Sequence, residues 1–163
     1  MSELRLVTHL DSLQENPWIL ARIKGRCGVA NGCFDVLHSG HLHLLRHLDV
    51  LCRLRGVHPV VALNSDQSLR EIKGQRRPIV PQGSRAELLT HLYWPMTVVI
   101  FDESTPQRLM DTLEPPLVLK GSDYDPSAVV RWSGSEVRTV ELLPGWSTSA
   151  LLEGKLEEDS GHR

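Results

Sequence analysis

Cysteine is scarce in this 163-residue sequence: Cys27, Cys33 and Cys52 are an odd number and form no C-x-x-C pair. That excludes a disulfide frame and a zinc ribbon, and it fits reduced thiols in a cytoplasmic setting. Charge of one sign is also missing. Eighteen Lys and Arg against 20 Asp and Glu leave a net −2 with neutral histidines. No global basic field is available for gripping nucleic acid, so any anion site must be built locally. No apolar run reaches membrane-spanning length, and "MSELRLVTHLDSLQ" has acids early and no long apolar core. Neither a membrane span nor a secretory signal is expected. Internal repeats, low-complexity tracts and an H-E-x-x-H zinc helix are absent as well.

Ordinary globular composition remains, with 40% apolar and 23% charged residues. A chain of this length is most economically one domain, able to bury roughly 70% of the surface its unfolded form exposes. Apolar runs of strand length alternate with segments of helical period. Strands are expected at 26–32, 57–64, 97–101, 116–121 and 136–143. Helices are expected at 40–54, 65–72, 84–94, 104–113, 125–132 and 147–158, with capping-box spacing between Ser84 and Glu87. Residues 73–83, rich in Gly, Pro and Arg, read as a loop, and the core spans about 26–156 with peripheral ends. Strands with interposed helices imply βαβ units. The fold class is therefore α/β, a three-layer sandwich with a mostly parallel sheet and helices on both faces. Ligands of such sheets sit at the carboxyl ends of the strands. Four polar, Gly-containing segments follow expected strands there: 31–41, 64–77, 120–125 and 144–149.

The densest chemistry lies in "GCFDVLHSGHLHLLRHL", residues 32–48. A metal site would need three or four converging ligands. His38 and His41 straddle a turn, whereas His43 points elsewhere on the helix and His47 lies two turns on, so no metal centre is expected. An anion site fits better. Gly32 permits a tight turn after a strand, and Gly40 opens a helix whose bare N–H groups and dipole favour phosphate. Two histidines at that mouth can aim ring N–H donors at the same oxygens, a device for stabilising charge during phosphoryl or nucleotidyl transfer.

"NGCFDVLHSGH" resembles the F-D-x-x-H-x-G-H signature of the cytidylyltransferase-like nucleotidyltransferases. "VALNSDQSLREIKGQRRPIVPQGSRAELL", "STPQRLM", "LVLKGSDY" and "GWSTSALL" follow in the order of that family. Together they are most similar to its D-glycero-β-D-manno-heptose 1-phosphate adenylyltransferase branch. In many bacteria that activity is fused to a sugar kinase, and the resemblance here is to a stand-alone form with a separate kinase. It implies a Rossmann-like nucleotidyltransferase domain over 1–163 that moves AMP from ATP to a sugar 1-phosphate in ADP-heptose and lipopolysaccharide synthesis. Mg2+ accompanies the ATP.

The resemblance also implies roles. His38 and His41 are catalytic. Gly32, Cys33, Phe34, Gly40, Lys120, Gly121, Asp123, Tyr124, Ser147 and Thr148 line the nucleotide, and Arg85 either neutralises its phosphates or is a solvated arginine. Asn64, Asp66, Lys73 and Arg77 are acceptor candidates, alongside Arg76. Asp35 is a turn former or a support for its loop. Three departures from the family pattern are visible: Ala30 for a threonine, "GWSTS" for G-x-S-T-T, and an acidic stretch after it. Apolar residues in 88–101 serve either a homo-oligomer interface or the core. A cytidylyltransferase for glycerol 3-phosphate or another alditol phosphate is the alternative within the class. A non-catalytic nucleotide-binding module is the alternative outside it.

Overall fold

The computed structural model describes residues 5–94, 96–123, 125–141 and 143–154. In chain order the elements are β1 (Leu6–His9), α1 (Leu10–Gln14), α2 (Pro17–Ile23), β2 (Cys27–Gly32), α3 (Ser39–Arg55), β3 (His58–Asn64) and α4 (Asp66–Lys73). They continue with α5 (Gln82–Thr90), β4 (Thr97–Phe101), α6 (Gln107–Leu113), β5 (Leu117–Gly121), β6 (Glu136–Val140) and α7 (Thr148–Leu152).

The strands form one sheet in the order β1-β4-β3-β2-β5-β6, and every described pairing is parallel. Both faces are covered, so the central strands read as continuous apolar runs whose residues alternate between two cores. Ala30, Val61, Leu63, Val98 and Leu119 face α3 and α5 through Leu45, Leu48, Cys52, Ala86 and Leu89. Val29, Val60, Ala62, Val99 and Val118 face α1, α2 and α6 through Leu10, Leu13, Ile23, Leu109 and Met110. From β2 the chain steps outward to β3 and β4, then returns to lay β5 on the other side of β2. The strand order thus reverses beside the carboxyl end of β2, which is where an open α/β sheet leaves a crevice. No described helix is long and apolar enough to cross a membrane.

Three expectations need correction. The N-terminal lead is not peripheral: β1 pairs with β4, and Leu10, Leu13 and Ile23 are core residues. The segment 125–132 is not a helix. It runs as turns in which the Asp125 carboxylate accepts from the Ser127 amide, while Val129 and Trp132 pack on the second core. The helix placed at 84–94 runs from Gln82 to Thr90, with Pro81 rather than Ser84 before its first turn. Beyond residue 154 the expected last helix lies outside the described residues.

Candidate active site

The carboxyl end of β2 leads into Cys33, Phe34 and Asp35, and then into α3. Phe34 has φ 45°, a left-handed conformation that disfavours a bulky side chain. Its ring is buried and folds back over Gly32, where any Cβ would stand 3.0 Å from the ring. Asp35, 3% exposed, turns its carboxylate onto the backbone amides of Ile79 (2.7 Å) and Val80 (3.0 Å) and pairs with the Arg77 guanidinium. Of its two sequence-based readings, the support role is the observed one.

His38 is the extended N-cap of α3, so its ring and that of His41, one turn on, come to the same mouth. The rings stack with centroids 3.8 Å apart and planes at 29°. Phe34 packs against His41, tilted, with centroids 5.0 Å apart, and Trp146 stacks with His38 at 6.3 Å. Gly40 sits where a Cβ would meet His38 Cε1 at 3.0 Å, His38 Nδ1 at 3.1 Å and the Trp146 carbonyl oxygen at 3.2 Å. The glycine therefore lets the 144–148 segment close on the helix mouth. Ser147 and Thr148 arrive there with it, the Ser147 carbonyl accepting from Leu151 at the start of α7.

The Nδ1 atoms of both histidines are buried without a hydrogen-bond partner. Burial pushes the His41 imidazole down to about 4, helped by the neighbouring His38 and opposed by the Val36 backbone. Burial lowers His38 as well. The free pair is thus neutral near pH 7, so no fixed positive charge has to be held at the mouth before an anion arrives. A polyanion at the rings raises both proton affinities. Ligand binding near pH 6 should then take up protons, whereas at about pH 8 it should not. Calorimetry of ATP binding in buffers of different ionisation enthalpy measures this. The His41→Ala variant, which subtracts the nucleotide's own protonation, should show a smaller uptake.

A second group lies beside the mouth. The Lys120 ammonium, half-buried on β5, donates to the Asn31 carbonyl at 3.2 Å. Burial lowers its proton affinity, nearby Lys73 adds to that, and Asp123 and Cys33 oppose it. Burial raises the Cys33 thiol while Lys73, Arg85 and Lys120 pull it down. Cys33, Lys73, Lys120 and Asp123 are thus electrostatic neighbours at the ends of β2, α4 and β5, with Gly121 buried on the same strand end. Tyr124 lies outside the described residues. The Asn31 carbonyl is a contributor that sequence reasoning missed, because a backbone oxygen carries no residue-type signal.

Four candidates are placed differently. Arg85 is 0% exposed. Its Nε donates to the Val80 carbonyl (2.9 Å), Nη1 to those of Cys33 and Asn64, and Nη2 to Asp66 Oδ1 (2.7 Å), so it does not face a phosphate. Asp66 exchanges hydrogen bonds with Gln82, amide to side chain in both directions, besides pairing with Arg85. Asn64 is 4% exposed and donates to Ser68 Oγ at 2.9 Å. Arg77 is committed to Asp35. Internal partners engage all four, and Arg85 and Asn64 are buried as well, whereas Lys73 and Arg76 are exposed on that side. Among the described residues no three His, Cys, Asp or Glu side chains converge on a metal position.

Comparison with known proteins agrees with this geometry. The family model described as Cytidylyltransferase-like matches residues 29–145. The bifunctional protein HldE of Acidiphilium cryptum (strain JF-5) is 45% identical over 134 residues, covering 78% of this chain and 26% of its own length. The bifunctional protein HldE of Syntrophotalea carbinolica is 38% identical over 162 residues, 96% of this chain and 31% of its own length. The chain thus spans about a quarter to a third of these curated relatives. The lipopolysaccharide core biosynthesis protein from Thermoplasma volcanium GSS1 has the same Rossmann-like fold, with a TM-score of 0.54, 23% identity, and coverage of 71% of this chain and 97% of that one. The family match runs from β2, through both stacked histidines, to the glycine before Trp146, and on that ground the chain belongs to the cytidylyltransferase-like family.

Proposed function

We propose that this chain is an adenylyltransferase that moves AMP from ATP to a sugar 1-phosphate, D-glycero-β-D-manno-heptose 1-phosphate, giving ADP-heptose and pyrophosphate. The observation that carries the reading is the stacked His38–His41 pair at the Gly40 mouth of α3. Family membership supplies the reaction class. Similarity to bifunctional relatives, of which this chain matches one part, fits one of two activities. A sugar kinase activity supplies the acceptor.

In the reaction an acceptor phosphate oxygen forms a bond to the α-phosphorus of ATP, and the bond from that phosphorus to the bridging oxygen breaks as pyrophosphate leaves. A phosphate monoester is already a competent nucleophile, so no covalent intermediate or strong base is required. The work left to the protein is alignment of two polyanions and neutralisation of developing charge. His38 and His41 donate to oxygens of the triphosphate, the N-terminal amides of α3 add to the field, and Ser147 with Thr148 hold the outer phosphates. Lys120 and Lys73 offset the repulsion between nucleotide and acceptor. Mg2+, carried by the nucleotide, supplies further neutralisation of phosphate oxygens when bound.

Pyrophosphate release measured for ATP, CTP, GTP and UTP against heptose 1-phosphates and glycerol 3-phosphate tests this. Turnover is expected with ATP and heptose 1-phosphate. Turnover confined to CTP with an alditol phosphate, or none with any pair, contradicts it.

A further inference from the structure

Arg85 and Asp35 meet at one residue. Asp35 leaves the histidine-bearing turn and accepts from the Val80 amide at 3.0 Å, while Arg85 donates to the Val80 carbonyl at 2.9 Å. Both backbone groups of Val80 are therefore gripped by charged side chains that are 3% and 0% exposed. The grip extends outward. Asp35 also takes the Ile79 amide and the Arg77 guanidinium. Arg85 also reaches the Cys33 carbonyl at the end of β2, the Asn64 carbonyl at the end of β3, and Asp66 at the start of α4. One guanidinium thus joins three chain segments, and two of them, 33 and 64–66, follow neighbouring strands. Only an arginine presents several donors in a fixed planar fork suited to this. The third segment closes the loop 74–81, whose other end is Lys73, and it bears the exposed cation Arg76.

We propose that Arg85, with Asp35, is a positioning residue for the transfer: it sets the acceptor-side loop 74–81 against the turn that bears His38 and His41. This inference rests on the adenylyl-transfer reading. Arg85 touches neither substrate. It acts through Val80 and the carboxyl ends of β2 and β3, so that the acceptor oxygen stands in line with the α-phosphorus. A fold needs no such clasp for its sheet, whose cores are apolar on both faces. A two-substrate transfer does, because a displacement of about 1 Å costs about 100-fold in rate.

The test compares Arg85→Lys and Asp35→Asn with the wild type. Lysine keeps the charge and loses the fork; asparagine keeps one carbonyl and loses the ion pair. Each variant should lower kcat about 100-fold while ATP affinity stays within about threefold, because the loss falls on alignment and not on nucleotide binding. Hydrogen exchange at Ile79 and Val80 should quicken, with α3 amides staying protected. The double variant should cost little more than either single one, since both grip Val80. Folded variants with wild-type kcat and acceptor KM overturn the inference, as does a parallel loss of ATP affinity. Should Arg85→Lys not fold, Asp35→Asn alone decides by the same readings. A wild type without turnover sinks the functional reading. Even then the exchange and ATP-affinity readings stand: unchanged exchange at Ile79 and Val80 in the variants sinks this inference separately.

Discussion

Replacing His41 by alanine should lower kcat about 1000-fold and change ATP affinity only about threefold. The asymmetry follows from where the ring sits. His41 is the inner member of the stacked pair, packed against His38 and Phe34, and burial holds its imidazole at about 4 in the free protein. Near pH 7.5 and above, where the ring stays neutral, it adds little charge to holding ATP in the ground state. As the bridging oxygen departs, negative charge grows on the phosphates and a buried donor gains strength in the low-dielectric mouth. The differential between the two states is the catalytic contribution. Steady-state kinetics beside calorimetric ATP binding reads it. A binding module without turnover would show instead a loss of affinity with no rate to lose. His41→Asn, which retains a side-chain N–H at a shorter reach, should recover part of the rate.

The second large effect separates stability from activity. Gly40→Ala adds a methyl in the first turn of α3, where the backbone tolerates it and helix propensity favours alanine by about 1 kcal/mol. Thermal stability should be unchanged or slightly higher. Yet that methyl would stand 3.0 Å from His38 Cε1 and 3.2 Å from the Trp146 carbonyl. The backbone oxygen yields less readily than the ring, so His38 turns out of its stack. With one ring displaced, kcat should fall about 100-fold. Gly40→Val, larger and β-branched, should abolish measurable turnover and lower stability as well. Differential scanning of the two variants beside their kcat values checks both signs. Full activity in Gly40→Ala would mean that the close packing at this mouth has no part in the reaction.

How much of this was legible in the sequence depended on how local the cause is. The turn from β2 into α3 is local: Gly32, the histidine spacing and Gly40 lie within one strand end and one helical turn, and the stacked pair formed where the spacing placed it. The parallel sheet was legible because apolar runs alternate with helical periods over the whole chain. Arg85 was not. An arginine in a helix's first turn carries the signature of a solvated or phosphate-facing cation, and only the convergence of Cys33, Asn64, Asp66 and Val80 buries it. The same holds for Asp66, whose partner Gln82 lies sixteen positions on, and for Asn64, whose carbonyl accepts from Arg85 twenty-one positions on. β1 escaped because four residues, "LVTH", form too short a pattern, and its pairing with β4 lies some ninety positions away. The segment 125–132 had helical composition, but Asp125 turns back on the Ser127 amide and the apolar side chains pack singly onto the second core.

The most direct test is a crystal structure of this chain with a non-reacting ATP analogue carrying a methylene between the α- and β-phosphorus. Phosphate oxygens should lie at about 3 Å from ring nitrogens of His38 and His41 and from the first amides of α3. A nucleotide whose phosphates lie instead in the shallow groove lined by Gln107, Asp111, Arg131 and Trp132, away from both rings, would contradict the account.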